Sequence, residues 1–291
     1  MTFEIPRYTL NDGQSVPVIG FGTYPLRGDD GVEAMVHALE AGYRLLDTAV
    51  NYGNEEEVGE AVRRSGLPRE DIQVTSKIPG RHHEYDQAIG SVEESLRRLR
   101  FDYLDRVLIH WPNPGVGKYV EAWRALVELR NRGLVRSIGV SNFTEQHLHA
   151  VIEDSGVTPA VNQVELHPRL QQAGLRREHA DRGIVTEAWS PLGQGHAVRH
   201  PVVVEVADRH GRTPAQVVLR WHLQLGNVVI PKSTTPSRIR ENIAVFDFTL
   251  DDVEMEALAE LETGTRLGPD PDERDTRGRP GFSSAGGRWV G

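Results

Sequence analysis

Short apolar runs alternate with longer amphipathic stretches along most of this chain. The runs read as strands at residues 19–22, 44–47, 72–77, 106–110, 135–140, 161–165, 184–189 and 228–230. They are mostly too short and too apolar to be half exposed, which fits strands covered on both faces. Between them the spacing predicts helices over 31–41, 55–64, 85–98, 119–131, 144–153, 174–182, 202–209, 214–225 and 238–244. In the third of these, Ile89, Val92, Leu96 and Leu99 recur at helical spacing and should face a core. Strand and helix in alternation, with two helical runs before the last strand, imply a parallel sheet. Eight such repeats fit the roughly 250 residues of a closed (β/α)8 barrel better than an open sheet.

Three stretches lie outside this alternation. Near the start, Asn11-Asp12-Gly13 separates two short extended runs, which is a hairpin signal ahead of the first barrel strand. An extra helix is expected over 251–261. The tail, 262–291, is rich in Gly, Pro, Asp and Arg and reads as irregular. Nothing in between has the composition of a linker, so residues 1–291 read as a single domain. In Ile19-Gly20-Phe21-Gly22 the glycines mimic the start of a dinucleotide fingerprint. The third glycine is missing, and no acid follows about 20 residues later at a strand end, so close packing in a barrel strand explains them better.

Chemistry gathers at the strand ends. The second strand ends in Asp47, the third in Lys77 and the fourth in His110, and Tyr52 lies in the loop just after Asp47. Neighbouring strands lie about 4.8 Å apart, so consecutive parallel strands would bring an acid, a base and an imidazole together under a phenol. Each residue alone has a structural explanation: a helix cap, a solvated lysine, a structural histidine. Their convergence is what points to proton transfer. Tyrosine ordinarily titrates near 10. An ammonium about 4 Å away would favour the phenolate by roughly 4 kcal/mol at an effective dielectric near 20, or about three pK units at most. Asp47 would keep Lys77 charged and offset part of that effect.

Composition narrows the function classes. The chain has 291 residues, a formal net charge of −9 and no cysteine. The charge argues against nucleic-acid and membrane-surface partners. The absence of thiols excludes disulfides, thiolate catalysis and thiolate-ligated metals. No apolar run approaches the 18 or more residues that span a bilayer, and the first residues lack a basic, apolar leader pattern, so a cytoplasmic protein is expected.

Several motifs occur in order: GYRLLDTAVNYGNE around Asp47 and Tyr52, Lys77 at its strand end, LIHWP at 108–112, GVSNF at 139–143, NQVELHP at 162–168, WSPLG at 189–193 and IPKS at 230–233. Together they closely resemble the aldo-keto reductases, most of all the small prokaryotic enzymes of the 2,5-diketo-D-gluconate reductase type, from Ile19 to about Leu261. The resemblance implies a TIM barrel plugged from below by the N-terminal hairpin, and NADPH or NADP+ lying across the top. Hydride would pass from the nicotinamide C4 to a small-molecule carbonyl, and Tyr52 would act as general acid with Asp47, Lys77 and His110 around it. Cofactor residues carried over are Ser141, Asn142 and Gln163 toward the carboxamide, Trp189 as a stacking face, and Ser190, Leu192, Gln194 and Gly195 toward the pyrophosphate. Lys232, Ser233, Thr234, Arg238, Glu241 and Asn242 would surround the adenosine phosphate. The substrate cleft would be lined by Tyr24, Val50 and Trp111. Tyr24 replaces the tryptophan common in the family. Short loops at 113–118 and 194–200 predict a shallow, open pocket for small carbonyls or keto-sugars. In relatives a C-terminal tail folds over the site; here Trp289 is either a pocket residue or part of a disordered end, and the second is the expectation. A monomer is expected. Two other readings compete with this one: a metal-assisted hydrolase on His110, Asp47 and His167, and a nucleotide-sensing binding protein on the same barrel.

Overall fold

The computed structural model describes residues 5–274. Two short antiparallel strands come first, β1 (Arg7–Thr9) and β2 (Ser15–Pro17), with Tyr8 opposite Val16. The turn between them carries Gly13 at φ +83°, a conformation that glycine reaches without strain. This hairpin closes the lower end of the barrel. Leu10 and Val16 pack with Leu45, Val161 and Val228, each at or near the start of a barrel strand. Its turn is tied down as well: Asn11 Nδ2 donates to the Pro159 carbonyl at 3.0 Å, and Ser137 Oγ donates to Asp12 Oδ2 at 2.7 Å.

The barrel follows as β3 (Phe21–Gly22), α1 (Gly28–Glu40), β4 (Leu45–Asp47), α2 (Glu55–Arg64), β5 (Gln73–Ile78), α3 (Tyr85–Leu99), β6 (Leu104–Ile109), α4 (Tyr119–Asn131), β7 (Val135–Ser141), α5 (Glu145–Ser155), β8 (Val161–Glu165), α6 (Ala173–Asp181), β9 (Val185–Trp189), α7 (Pro201–His210), α8 (Pro214–Gln224), β10 (Val228–Ile230) and α9 (Pro236–Ile243). The sheet runs from β3 through β10 in chain order, every pair parallel. A bridge between Ile19 and Val229, with Gly20 N–H donating to the Val229 carbonyl at 2.9 Å, joins the first strand to the last and closes the ring. A methyl group on Gly20 would meet Leu45 and Ile230 side-chain atoms at 2.7–2.8 Å. The glycine is therefore there for packing and not for a phosphate, as its sequence context implied. No helix among the described residues is long and apolar enough to cross a membrane.

Some boundaries differ from the sequence reading, for local reasons. Helix α1 begins three residues before the expected position, because Gly28 (φ +63°) turns the chain and Asp29 and Asp30 occupy the first turn, where carboxylates suit the helix dipole. On α3 the buried stripe includes Ala88, Ser91 and Ser95, and Ile89 lies at its edge, half-buried. The extra helix, α10 (Asp252–Ala259), starts where Asp251 accepts from Glu254 N–H and Glu254 returns the bond to the Asp251 N–H, a capping box. The described part of the tail, 262–274, forms turns without a regular element. The expectation about Trp289 lies outside the described residues.

Candidate active site

Asp47 is the last residue of β4, Lys77 the penultimate residue of β5, and His110 follows the end of β6, its N–H donating to the Ile78 carbonyl at 3.0 Å. The register of these three strands, with Asp47 beside Thr75 and Lys77 beside Leu108, puts all three side chains at the upper rim. Lys77 Nζ donates to Asp47 Oδ1 at 2.5 Å, to the Thr48 carbonyl at 2.9 Å and to Tyr52 Oη at 3.4 Å. The His110 ring meets the Tyr52 ring edge-on at 5.7 Å between centroids. The four residues expected to form a proton-transfer site thus converge.

Tyr52 ends a single 3-10 turn (Val50–Tyr52) that the surrounding loop stitches in place. Asn54 is fully buried. It accepts from Thr48 Oγ1 at 2.7 Å and donates to the carbonyls of Thr23 and Leu26, both at 2.9 Å. From the outside the Arg27 guanidinium holds the Tyr52 carbonyl at 2.6 Å. The acidic run after the loop does more than suit a helix N-terminus. Glu55 is buried, accepts from Ser76 Oγ at 2.5 Å and pairs with Arg98 at 2.6 Å, which ties α2 to both β5 and α3.

Below the rim lies a polar core that the sequence reading did not assemble. Asp47 Oδ2 accepts from Gln163 Nε2 at 2.8 Å, Gln163 also donates to Glu187, and Glu187 pairs with Arg106 at 3.1 Å. Buried charges of both signs in one hydrogen-bonded chain offset one another's desolvation, whereas any one alone would be costly. The available signal was parity. Glu187 lies two residues before Trp189 in β9, so both point to the same face of a strand whose interior must be filled.

Electrostatics assign a charge state to each group. Burial dominates at Tyr52 and raises its pKa; Lys77 lowers it and Asp47 raises it, leaving the phenol protonated above its ordinary range. This corrects the simple expectation that Lys77 makes the phenol more acidic: its pull is present, but desolvation outweighs it. At Lys77 burial works against the charge, yet Asp47 and Tyr52 carry the pKa above its usual value, so the ammonium persists. His110 is held well below 6.5 by burial, then by Lys77 and Arg274, so the imidazole is neutral. Its Nδ1 is buried with no partner among the described residues.

The residues expected at the cofactor divide into two groups. Those assigned to the carboxamide are partly engaged within the protein. Asn142, at φ +62°, donates to the His110 carbonyl at 3.0 Å and accepts from Trp189 Nε1 at 2.8 Å. Ser141 Oγ donates to the Gln163 carbonyl at 2.8 Å, and the Gln163 amide nitrogen is used by Asp47 and Glu187. The Trp189 indole is therefore held in a fixed plane. Ser190 (φ +49°), Gln194 (φ +53°) and Gly195 (φ +87°) shape a tight loop around Leu192 after β9. After β10, Lys232 and Arg238 are exposed, and neither has an ion-pair partner within 4.0 Å among the described residues. Ser233 is buried, its Oγ accepting from Thr235 N–H at 3.1 Å, and Thr234 beside it is exposed. Glu241 accepts from Thr213 Oγ1 at 2.7 Å, and Asn242 is buried.

In the cleft, Tyr24 packs on Tyr52 at 5.0 Å and is 46% exposed, Val50 is half-buried, and Trp111 is buried, edge-on to Trp189 at 6.4 Å. The tail packs against two residues of this cleft, Trp189 and Trp111. Glu165 accepts from the N–H groups of Leu267 at 2.6 Å and Gly268 at 2.9 Å. Gly268 lies so close to Trp189 that a methyl group there would be 2.6 Å from the indole. Arg274 stacks on Trp111 at 4.2 Å. Glu165 was legible only as a strand residue, and Arg274 gave no signal, since a tail has no periodicity to say where it lands.

Comparison with known proteins agrees with this geometry. The family model described as "Aldo/keto reductase family" matches residues 18–263. A 2,5-diketo-D-gluconic acid reductase B from Corynebacterium sp. (strain SHS752001) is 53% identical over 273 residues, covering 94% of this chain and 99% of that protein. An aldo-keto reductase from Mycolicibacterium smegmatis (strain ATCC 700084 / mc(2)155) is 52% identical over 266 residues, covering 91% of this chain and 97% of that one. Among solved structures, a mutant of Gox0644 in complex with NADPH superposes with a TM-score of 0.90 at 43% identity, covering 94% of this chain and 100% of that one. With eight parallel strands in a ring and a Tyr–Lys–Asp–His cluster at its rim, the chain belongs to the aldo-keto reductase family.

Proposed function

We propose that Tyr52 gives its proton to the oxygen of a small aldehyde, ketone or keto-sugar while Lys77, Asp47 and His110 hold it ready to do so. As a member of the aldo-keto reductase family, the chain is an NADPH-dependent oxidoreductase of carbonyl compounds. The residues present fit that cofactor. Lys232 and Arg238 are cations without an ion-pair partner among the described residues, on the face above β10, suited to a phosphate, and Trp189 offers an indole face held by Asn142. When bound, the reduced nicotinamide supplies the hydride.

The observation that carries the reading is Lys77 Nζ within reach of both Asp47 and Tyr52 Oη. A phenol kept protonated by burial has a proton to give at neutral pH. Once it leaves, the phenolate has a persistent ammonium 3.4 Å away to stabilise it. Asp47 fixes that ammonium in place. The neutral His110 can accept or donate a hydrogen bond without adding charge, so it orients the carbonyl oxygen. Tyr24, Val50 and Trp111 supply the walls. The hydrolase reading finds little support: Asp47 uses both oxygens on Lys77 and Gln163, and His167 Nε2 is engaged by Glu165 at 3.1 Å. A nucleotide sensor would not need an aligned proton donor.

Tyr52→Phe removes one hydroxyl and should cut NADPH-dependent carbonyl reduction by about 10²–10⁴-fold while NADPH still binds. Turnover within tenfold of the wild-type rate would overturn the assignment.

A further inference from the structure

Four charged groups and one amide meet inside the barrel. Arg106 on β6 and Glu187 on β9 pair at 3.1 Å, with 2% and 0% of their side chains exposed. Glu187 is the one carboxylate within 4.0 Å of Arg106 among the described residues, and Arg106 Nε is buried with no hydrogen-bond partner there. Lys77 and Asp47 form the second pair, at 2.5 Å. Gln163 joins the two. Its Nε2 donates to Asp47 Oδ2 at 2.8 Å and also to Glu187 Oε1. Asp47 lies on β4 and Gln163 on β8, four strands round an eight-stranded ring, so the amide reaches across the interior.

A buried ion pair is weak support for stability. The desolvation of two charges offsets most of their attraction, and apolar residues of similar volume often serve as well or better. The amide gives the Arg106–Glu187 pair another role. Only the nitrogen end of an amide can lie between two carboxylates, because its oxygen would face an acceptor. One such bond leaves the amide free to swing about it, whereas two bonds, one on each hydrogen, fix its plane. The oxygen is then what Gln163 has left to offer, and nothing among the described residues donates to it. Burial pushes the Glu187 carboxyl up, and Arg106 is the largest influence holding it down. A protonated carboxyl accepts fewer bonds, so the guanidinium favours the form that the amide requires.

We propose that Glu187, held by Arg106, is a positioning residue for the nicotinamide: it locks Gln163 so that Oε1 accepts from the N–H group of the cofactor's carboxamide. This rests on the reductase reading and on the place at the carboxamide that the family resemblance gives Gln163. Asp47 widens the consequence. The same amide touches the carboxylate that holds Lys77, so one side chain sets the cofactor's ring relative to the proton donor.

The test is a binding experiment on the full chain. Calorimetry gives dissociation constants for NADP+ and for its 3-acetylpyridine analogue, in which a methyl group replaces the carboxamide NH2. The wild type should bind NADP+ tighter by roughly five- to thirtyfold, since the analogue leaves the fixed oxygen without its donor. Glu187→Leu alone would strand the Arg106 charge, so Arg106→Met and Glu187→Leu are made together. This double variant should melt near the wild-type temperature or above it. Its preference for NADP+ should fall at least about threefold, the loss lying in NADP+. Glu187→Gln is the second variant. It keeps the volume but leaves one oxygen to serve both Arg106 and Gln163, and should lower the ratio in the same direction. A wild type that does not distinguish the two dinucleotides overturns the proposal, as does an unchanged ratio in either folded variant. A pH profile for carbonyl reduction that shifts while the ratio stays fixed also overturns it, and assigns the pair to Tyr52 through Asp47 instead. Binding of neither dinucleotide would sink the reductase reading and this proposal together. Discrimination without reduction of any carbonyl would sink the reductase reading alone.

Discussion

At Lys77 one side chain has two tasks that pull apart under mutation. Its ammonium is fully buried, against an Asp47 that is only 5% exposed. Lys77→Met keeps the stem and deletes the charge. The Tyr52 phenol then loses the neighbour that most lowers its pKa, so the pKa should rise further and the phenolate left after proton transfer should be less stable. Turnover should fall steeply, and the alkaline limb of the pH profile for reduction should move to higher pH. The same change leaves the Asp47 carboxylate in the barrel with Gln163 as its one hydrogen-bond partner among the described residues. Breaking a buried pair in this way costs on the order of 3–5 kcal/mol, so a lower melting temperature should accompany the kinetic loss. A Lys77→Met enzyme with wild-type turnover and an unmoved pH profile would refute the electrostatic role.

At the scale of elements, the start of α9 is where a preference between NADPH and NADH should be set. Arg238 lies in its first turn and Lys232 just after β10, both exposed and without an ion-pair partner among the described residues. NADPH differs from NADH by a 2′-phosphate, which an arginine can meet with two parallel hydrogen bonds. Losing a charged contact costs about 1.5–3 kcal/mol, roughly ten- to a hundredfold in affinity. Arg238→Ala should therefore weaken NADPH binding by that factor and leave NADH nearly unchanged. Screening within about 8–10 Å in physiological salt keeps the long-range repulsion from the chain's net charge small beside the direct contact. Dissociation constants for both cofactors decide the point, and equal losses for the two would mean that Arg238 holds something else.

For the molecule as a whole, three buried histidines make stability depend on pH. Burial depresses His83 and His179 to about 4 and His222 to about 3, from an ordinary value near 6.5. His179 shows why: it lies between the Asn162 amide at 2.9 Å and Thr186 Oγ1 at 2.8 Å, so a ring nitrogen that accepts from the amide cannot also carry a proton. Because the folded pKa values are below the unfolded one, the unfolded chain binds protons first as pH falls. Stability is full above about 6.5 and is lost from there down to the folded values. Each group contributes up to about 1.4 kcal/mol per pH unit in that window. The melting temperature should drop measurably between pH 7 and pH 5, before most carboxylates titrate. A flat melting temperature over that range would contradict it, and His179→Gln should flatten the slope.

The division between what was legible in the sequence and what was not follows range of interaction. The eight-fold alternation, the hairpin turn and the strand-end residues Asp47, Lys77 and His110 are set by local periodicity and by the side-chain parity of single strands, so reading the chain in order recovers them. Gly20 belongs here too, since a missing third glycine already pointed to packing. What the chain order could not reveal is which side chains meet across the ring. Arg106, Gln163 and Glu187 come from three strands and become one network only once the register is fixed. The balance at Tyr52 is of this kind: the sequence placed Lys77 beside the phenol, but only the packed barrel shows desolvation outweighing it. The tail is the extreme case. Arg274 has no periodic partner, and its place over Trp111 depends on Glu165 catching two backbone N–H groups and on Gly268 fitting against Trp189. Those contacts exist only after the barrel has closed.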